Sequence, residues 1–175
     1  METLVSAAAG LIGAVIGAAI AWLAGRRQYR LATAFAMHRE FHAPDMTRSR
    51  NLAGMTVTKH RSDSFEVMRR ELPPEETQHV FNVLYFYQRL WLAIKFKNIQ
   101  ESYVPEMFGE NFCWWYVKSY TDQLLPMNWQ AGRHIAELMK WIKRDADEAE
   151  LTQWIERART LDDPWHGATG GIGSA

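Results

Sequence analysis

The hydrophobic pattern begins with an uncharged run over 3–24, between Glu2 and the first arginine, Arg26. As a helix these 22 positions span roughly 33 Å, against about 30 Å for the hydrocarbon core of a bilayer. The run has neither the polar face of a helix packed in a globular core nor the basic start of a cleaved signal peptide. It therefore predicts a transmembrane helix over 1–25.

Basic residues follow this run directly, at Arg26, Arg27 and Arg30. Because basic residues beside a span stay on the cytoplasmic side, they predict an amino terminus outside and a cytoplasmic carboxy-terminal domain. We therefore expect a single-pass protein of the inner membrane. The helix should continue as a basic juxtamembrane segment over 26–43 and end before Pro44, since a proline disfavours helical geometry in the residue ahead of it.

Small residues recur every four positions in the run, at Ala9, Gly13, Gly17 and Ala21. On a helix this spacing makes a strip that lets a second helix approach closely. The partner predicted from it is the membrane helix of another protein or a second copy of this chain. Glycine and alanine are also common in spans that do not pair, so both readings stay open.

Helical periodicity dominates the rest of the chain, and no strand-like alternation of useful length occurs. The segment that starts at Pro74 carries two apolar stripes side by side, which predicts a helix surrounded by others. We expect an all-α fold: a compact bundle of about four to five helices over 44–163, and a disordered glycine-rich tail over 164–175. The predicted helices cover 45–61, a short stripe near 65–72, then 74–98, 105–125, 129–143 and 147–159.

Composition narrows the function only slightly. The formal net charge is zero, which argues against a nucleic-acid partner. Cys113 is the single cysteine, so no intrachain disulfide forms, and its apolar neighbours predict a buried, inert thiol. The segment 26–61 holds eight basic residues against two acidic ones, so an anionic-lipid-sensing module is one alternative function.

Two short arrangements are low-ranking candidates for metal ligands. Glu76 and His79 have the Glu-x-x-His spacing of di-iron bundles, but such a centre needs a second copy of the motif. His38 and His42 lie four residues apart on one helix face, without the order of a zinc-protease motif. We therefore predict no metal, cofactor or catalytic residue, and a small bundle enzyme or metal sensor remains the second alternative.

Aromatic residues make up 13% of the chain. Trp91, Trp114 and Trp115 fit a bundle core, whereas Trp141 and Trp165 fall off the best apolar stripes. Large rigid rings on a surface are typical anchors of protein interfaces. We therefore expect Trp141 and Trp165 to contact a partner.

The stretch "FNVLYFYQRLWLAIKFKNIQESYVPEMFGENFCWWYV" covers 81–117. It resembles the central segment of a bacterial domain-of-unknown-function family of small helical proteins, which often have one amino-terminal span. Like that family, it has an aromatic-rich helix, a short break before an isoleucine and an acid, and a second helix with a paired aromatic. The resemblance implies the architecture and leaves the activity open.

These features together favour an interaction protein. We expect a single-pass, membrane-anchored helical protein that acts as an accessory subunit or adaptor. Its residues would be the small-residue strip for helix packing, the three arginines for orientation, and the two tryptophans for contacts.

Overall fold

The fold is described by a computed structural model over 2–60, 65–120 and 129–160, with side chains described over 13–60, 66–68, 70–120 and 129–160. Every regular element in these ranges is helical, so the predicted all-α bundle is confirmed. The predicted tail over 164–175 lies outside the described residues. The α-helices are α1 (Glu2–His42), α2 (Pro44–Lys59), α3 (Phe65–Glu71), α4 (Pro74–Lys95), α5 (Val104–Trp115), α6 (Gln130–Asp145) and α7 (Glu148–Thr160).

Helix α1 corrects the predicted membrane anchor. Searched over the described residues, the structure has no helix with the length and apolarity needed to cross a bilayer. The predicted transmembrane helix over 1–25 and the single-pass inner-membrane location are wrong.

No break separates the predicted anchor from the predicted juxtamembrane helix, because α1 is one element of 41 residues. Its last third enters the bundle, where Ala34, Met37 and Phe41 are buried. The helix ends at His42, as the proline rule predicts, and Ala43 is extended ahead of Pro44. The predicted juxtamembrane segment 26–43 therefore contributes buried side chains to the core of the bundle.

Helix α4 is buried mainly along one of its two predicted stripes, whereas Tyr85 and Phe96 of the second stripe are 50% and 63% exposed, so the prediction of a helix covered on both stripes is wrong. It packs against α2 on one side and α6 on the other. It begins at Pro74 with Glu75 and Glu76 in its first turn, where carboxylates favour the positive end of the helix dipole. It ends at Lys95, three residues earlier than predicted, because Lys97 adopts a left-handed φ of 55°. Its buried residues are Val80, Val83, Leu84, Phe86, Tyr87, Leu90 and Ile94.

Helix α5 is shorter than the predicted segment 105–125. It ends at Trp115 and continues as a π-helical turn, Tyr116–Tyr120, while 121–128 lies outside the described residues. A π turn adds a residue to the helical repeat, so it shifts which side chains face inward. As a result, Lys118 and Ser119 are buried.

Cys113 is a free, buried thiol on α5, as predicted. Burial raises its pKa to about 12, so the unreactive thiol form is present at neutral pH.

Candidate functional site: the exposed arm of α1

The first described part of α1 projects from the bundle. All side chains over 13–29, which we call the arm, are exposed. Ile20, for example, is 62% exposed. A helix that is apolar on all sides is normally covered, and contiguous exposed apolar surface marks an interaction site. The exposed large apolar residues of the arm are Val15, Ile16, Ile20, Trp22, Leu23 and Tyr29.

Three residues of the small-residue strip, Gly13, Gly17 and Ala21, lie on this arm and are exposed. A Cβ atom added at Gly13 or Gly17 would have no neighbour within 4 Å. Ala21 is also exposed, whereas the side chain of Ala9 lies outside the described residues. Ile16, Ile20 and Leu23 follow Gly13 at spacings of three, four and three residues, so they adjoin the strip on the same side. Gly13, Gly17, Ala21 and these three residues form one surface, which we call the arm seam.

The base of the arm is fastened to the bundle by Arg30. Its Nε donates a hydrogen bond of 3.0 Å to the Ile99 carbonyl, and its own carbonyl accepts one of 3.1 Å from the Gln100 amide. Its guanidinium also lies 3.6 Å from Glu101. The predicted topogenic role of Arg30 falls with the membrane span, because this side chain holds α1 against the α4–α5 connection.

Arg26 and Arg27, its two predicted companions, are exposed on the arm. The guanidinium of Arg26 lies over the Trp22 ring, 5.4 Å from its centroid. No described contact ties either residue to the bundle.

Replacing Arg30 by alanine should lower the free energy of unfolding by about 1–2 kcal/mol, because a charge-assisted bond to a carbonyl is lost at a half-buried site. Arg27→Ala is the matched control, since Arg27 is exposed on the same helix and should change stability by less than about 0.5 kcal/mol. Urea unfolding of both variants measures the difference. An equal loss of stability in the two variants would contradict the conclusion that Arg30 fastens α1 to the α4–α5 connection.

The histidine candidates on α1 do come together. The rings of His38 and His42 have centroids 4.5 Å apart, and His38 also packs edge-on against Phe108. Burial, then the neighbouring His38 and Arg50, lowers the pKa of His42. Nowhere in the described ranges do three or more His, Cys, Asp or Glu side chains group as metal ligands. A pair of imidazoles falls short of the four ligands of a structural zinc site.

The second candidate pair is not brought together as a site. Glu76 is exposed in the first turn of α4. His79 instead faces α2, with its Nδ1 3.2 Å from the Ser49 hydroxyl oxygen, which also accepts a hydrogen bond from Asn82. Sequence reasoning missed Ser49, because nothing in the local pattern indicates which serine meets α4.

The basic segment does not form a continuous charged surface. Arg50 is buried, with its guanidinium 3.9 Å from the centroid of the Phe41 ring. Arg30 is engaged as described above, and Arg61 lies outside the described residues. These placements leave the lipid-sensing alternative without a specific supporting observation.

Trp141 contradicts the expectation of exposure. It is 5% exposed and belongs to the core beside Leu138 and Ile142, because the apolar face of α6 is wider than its best stripe. Trp165 lies outside the described residues. Trp114 and Trp115 are buried as predicted, and Trp91 is half-buried.

Comparisons with known proteins give no family to which the chain can be assigned. No protein-family model, no curated protein and no solved structure matches it. The resemblance of 81–117 to a domain-of-unknown-function family therefore stays a prediction.

Proposed function

We propose that this protein is a helical interaction module that pairs with a second copy of itself through the arm seam. The observation that carries the proposal is the cluster of exposed large apolar side chains on the arm. Removing such an apolar surface from water strongly favours association. The bundle is then the body that the paired arms hold in place, as in an adaptor or accessory subunit.

A second copy suits the seam because the seam is self-complementary. Gly13 and Gly17 leave room for a closely approaching helix, and Ile16, Ile20 and Leu23 supply apolar side chains beside that room. Their alternating spacing of four and three is the spacing of paired helices. A two-fold pair buries the same surface on both copies, so no other partner is needed to cover it.

The contacts of Arg30 with Ile99, Gln100 and Glu101 also support pairing, because they hold the base of the arm in place. A docking element that is already ordered loses less conformational entropy on binding than a flexible tail does. The arm continues an element whose lower part is packed in the core, through Ala34 and Phe41. Two arms therefore meet with their bundles already oriented.

The full-length chain should form a dimer in analytical ultracentrifugation. Ile16→Gln with Ile20→Gln removes two apolar side chains from the seam of each copy, and should weaken the dimer at least ~100-fold. Val15→Gln with Trp22→Gln is the matched control, since it removes two large exposed apolar side chains from the opposite side of the arm. The control should leave the dimer dissociation constant within a few-fold of the unchanged chain.

Equal weakening by both pairs would indicate unspecific clustering of an apolar rod and would contradict the seam. A chain that stays monomeric across the concentration range would also contradict the proposal, as would a monomer whose arm is taken up by phosphatidylcholine vesicles. Gly13→Ala with Gly17→Ala keeps both residues small and should preserve the dimer.

A further inference from the structure

A second feature, independent of the arm, lies inside the bundle around the π turn. Four buried polar groups there have no hydrogen-bond partner within the described part of the chain. They are the hydroxyls of Tyr87, Ser119 and Tyr120 and the indole N–H of Trp115. Tyr87, Trp115 and Ser119 are almost completely buried as whole residues. Buried polar groups in folded proteins nearly always have a partner, so four together require an explanation.

These groups come from α4 and from the stretch that runs from the end of α5 through the π turn. Tyr87 comes from α4, where its ring packs against Phe112 of α5 at 5.0 Å between centroids. Trp115 ends α5, and Ser119 follows four residues later within the π turn. Tyr120 is the last residue of that turn. An α-helix continued through this point would shift the inward direction of Ser119 and Tyr120, so the π turn itself sets their placement.

The two tyrosines are close enough to influence each other's ionisation. Burial raises the pKa of Tyr87 well above its usual range, and the neighbouring Tyr120 raises it further. Burial likewise raises the pKa of Tyr120. Both phenols therefore stay protonated at neutral pH and keep one donor and one acceptor function each.

The chemistry of these groups defines what can bind among them. The Trp115 indole can only donate, whereas each hydroxyl both donates and accepts. A guest must therefore accept several hydrogen bonds and also donate, and it must be small enough for a packed core. Water meets all three requirements, and buried waters typically make about three hydrogen bonds to such groups.

We propose that Tyr87, Trp115, Ser119 and Tyr120 form an internal water site, in which ordered water bridges α4 to the π turn. The bound water completes the hydrogen bonds that the helices themselves leave open at this point. The site would join the two elements in the same way that a direct side-chain bond would.

Thermal unfolding of the full chain tests the site through the sign of its change. If Tyr87 and Tyr120 bond to water, Tyr87→Phe and Tyr120→Phe should each lower Tm by about 2–4 °C, because a bonded hydroxyl is lost. If the hydroxyls are dry and unpaired, the same variants should raise Tm, because a buried polar group without a partner is removed. Tyr85→Phe is the matched control on α4, since Tyr85 is 50% exposed, and should leave Tm unchanged.

The double variant Tyr87→Phe, Tyr120→Phe adds a test of bridging. If one water bonds to both hydroxyls, the combined fall in Tm should be smaller than the sum of the single falls. Additive falls would mean that the two hydroxyls have separate partners and would overturn the bridge.

Water itself is observed by nuclear Overhauser contacts between solvent protons and the Trp115 indole N–H. We expect a contact from long-lived water in the unchanged chain and in Tyr85→Phe, and its weakening in Tyr87→Phe. A fall in Tm without any water contact at this indole proton would show that protein groups satisfy the hydroxyls, and would overturn the proposal. A rise in Tm would overturn it directly.

Discussion

Phe41→Ala should lower the free energy of unfolding by about 3–5 kcal/mol, the range expected for removing a fully buried aromatic ring. Phe41 is fully buried and lies between α1 and its neighbours. Its ring contacts Phe86 and Phe108 at centroid distances of 4.9 and 5.8 Å. Truncation removes these contacts and leaves a cavity that the surrounding rings cannot fill without moving.

The same substitution also removes the ring that covers a buried cation. The Arg50 guanidinium lies 3.9 Å from the Phe41 centroid, and burial lowers the pKa of Arg50 to about 10. A desolvated cation over an aromatic face is stabilised by about 2 kcal/mol or more, so the loss adds to the cavity. We therefore place Phe41→Ala at the upper end of the range.

Phe35→Ala provides the control on the same helix. Phe35 is 48% exposed and meets only Tyr103, at 6.2 Å between centroids, among its described ring contacts. Its truncation should cost less than about 1 kcal/mol in urea unfolding. Comparable losses for Phe35 and Phe41 would mean that α1 does not enter the core as described.

Gly109→Ala should destabilise the protein by about 1–3 kcal/mol, although alanine is the better helix former. A Cβ atom at this position would lie 2.4 Å from Cζ3 and 2.7 Å from Cη2 of Trp154. Those atoms belong to the rigid six-membered ring of a buried indole on α7, so they can move only if the whole ring moves. Helices α5 and α7 would have to move apart.

Gly54→Ala is the matched substitution with the opposite expected sign. It lies in the interior of α2, and its nearest neighbour would be Trp114 Cη2 at 3.6 Å, an ordinary contact. Here the helix preference of alanine should stabilise the protein by about 0.5–1 kcal/mol. Thermal unfolding of both variants measures these changes in stability. A Gly109→Ala protein as stable as the unchanged chain would contradict the tight α5–α7 packing.

Helix positions were predictable where the signal is local. Pro44 marks the end of the first helix in the sequence and Pro74 the start of another, and α1 ends at His42 while α4 begins at Pro74. The apolar stripes of α4 predicted its burial only in part, because Tyr85 and Phe96 of the second stripe are exposed.

Features that depend on contacts distant along the chain were not predictable. The close approach of Gly109 to Trp154 requires knowledge of how two helices cross. The π turn after Trp115 interrupts the repeat that sequence periodicity assumes, so the pattern could not indicate it. The prediction that Trp141 is exposed failed for a related reason. The best apolar stripe of α6 is narrower than the face that several helices cover, and Trp141 lies on that wider face.

The arm shows how a correct observation can support a wrong assignment. Its lack of charge and its small-residue strip were both visible in the sequence. The described residues, however, contain no helix long and apolar enough to cross a bilayer, so these two features do not establish a span. The exposed apolar surface remains, and the proposed pairing is what accounts for it.

The attachment of α1 to the bundle at Arg30 has a mechanical consequence. Helix α1 is a single rod of roughly 60 Å, held at one point along its length and buried beyond it. A sideways force on the free end of α1 therefore acts with a long lever arm on the hydrogen bonds that Arg30 makes with Ile99 and Gln100. Tilting the arm would therefore act on the link between α4 and α5 through these two hydrogen bonds.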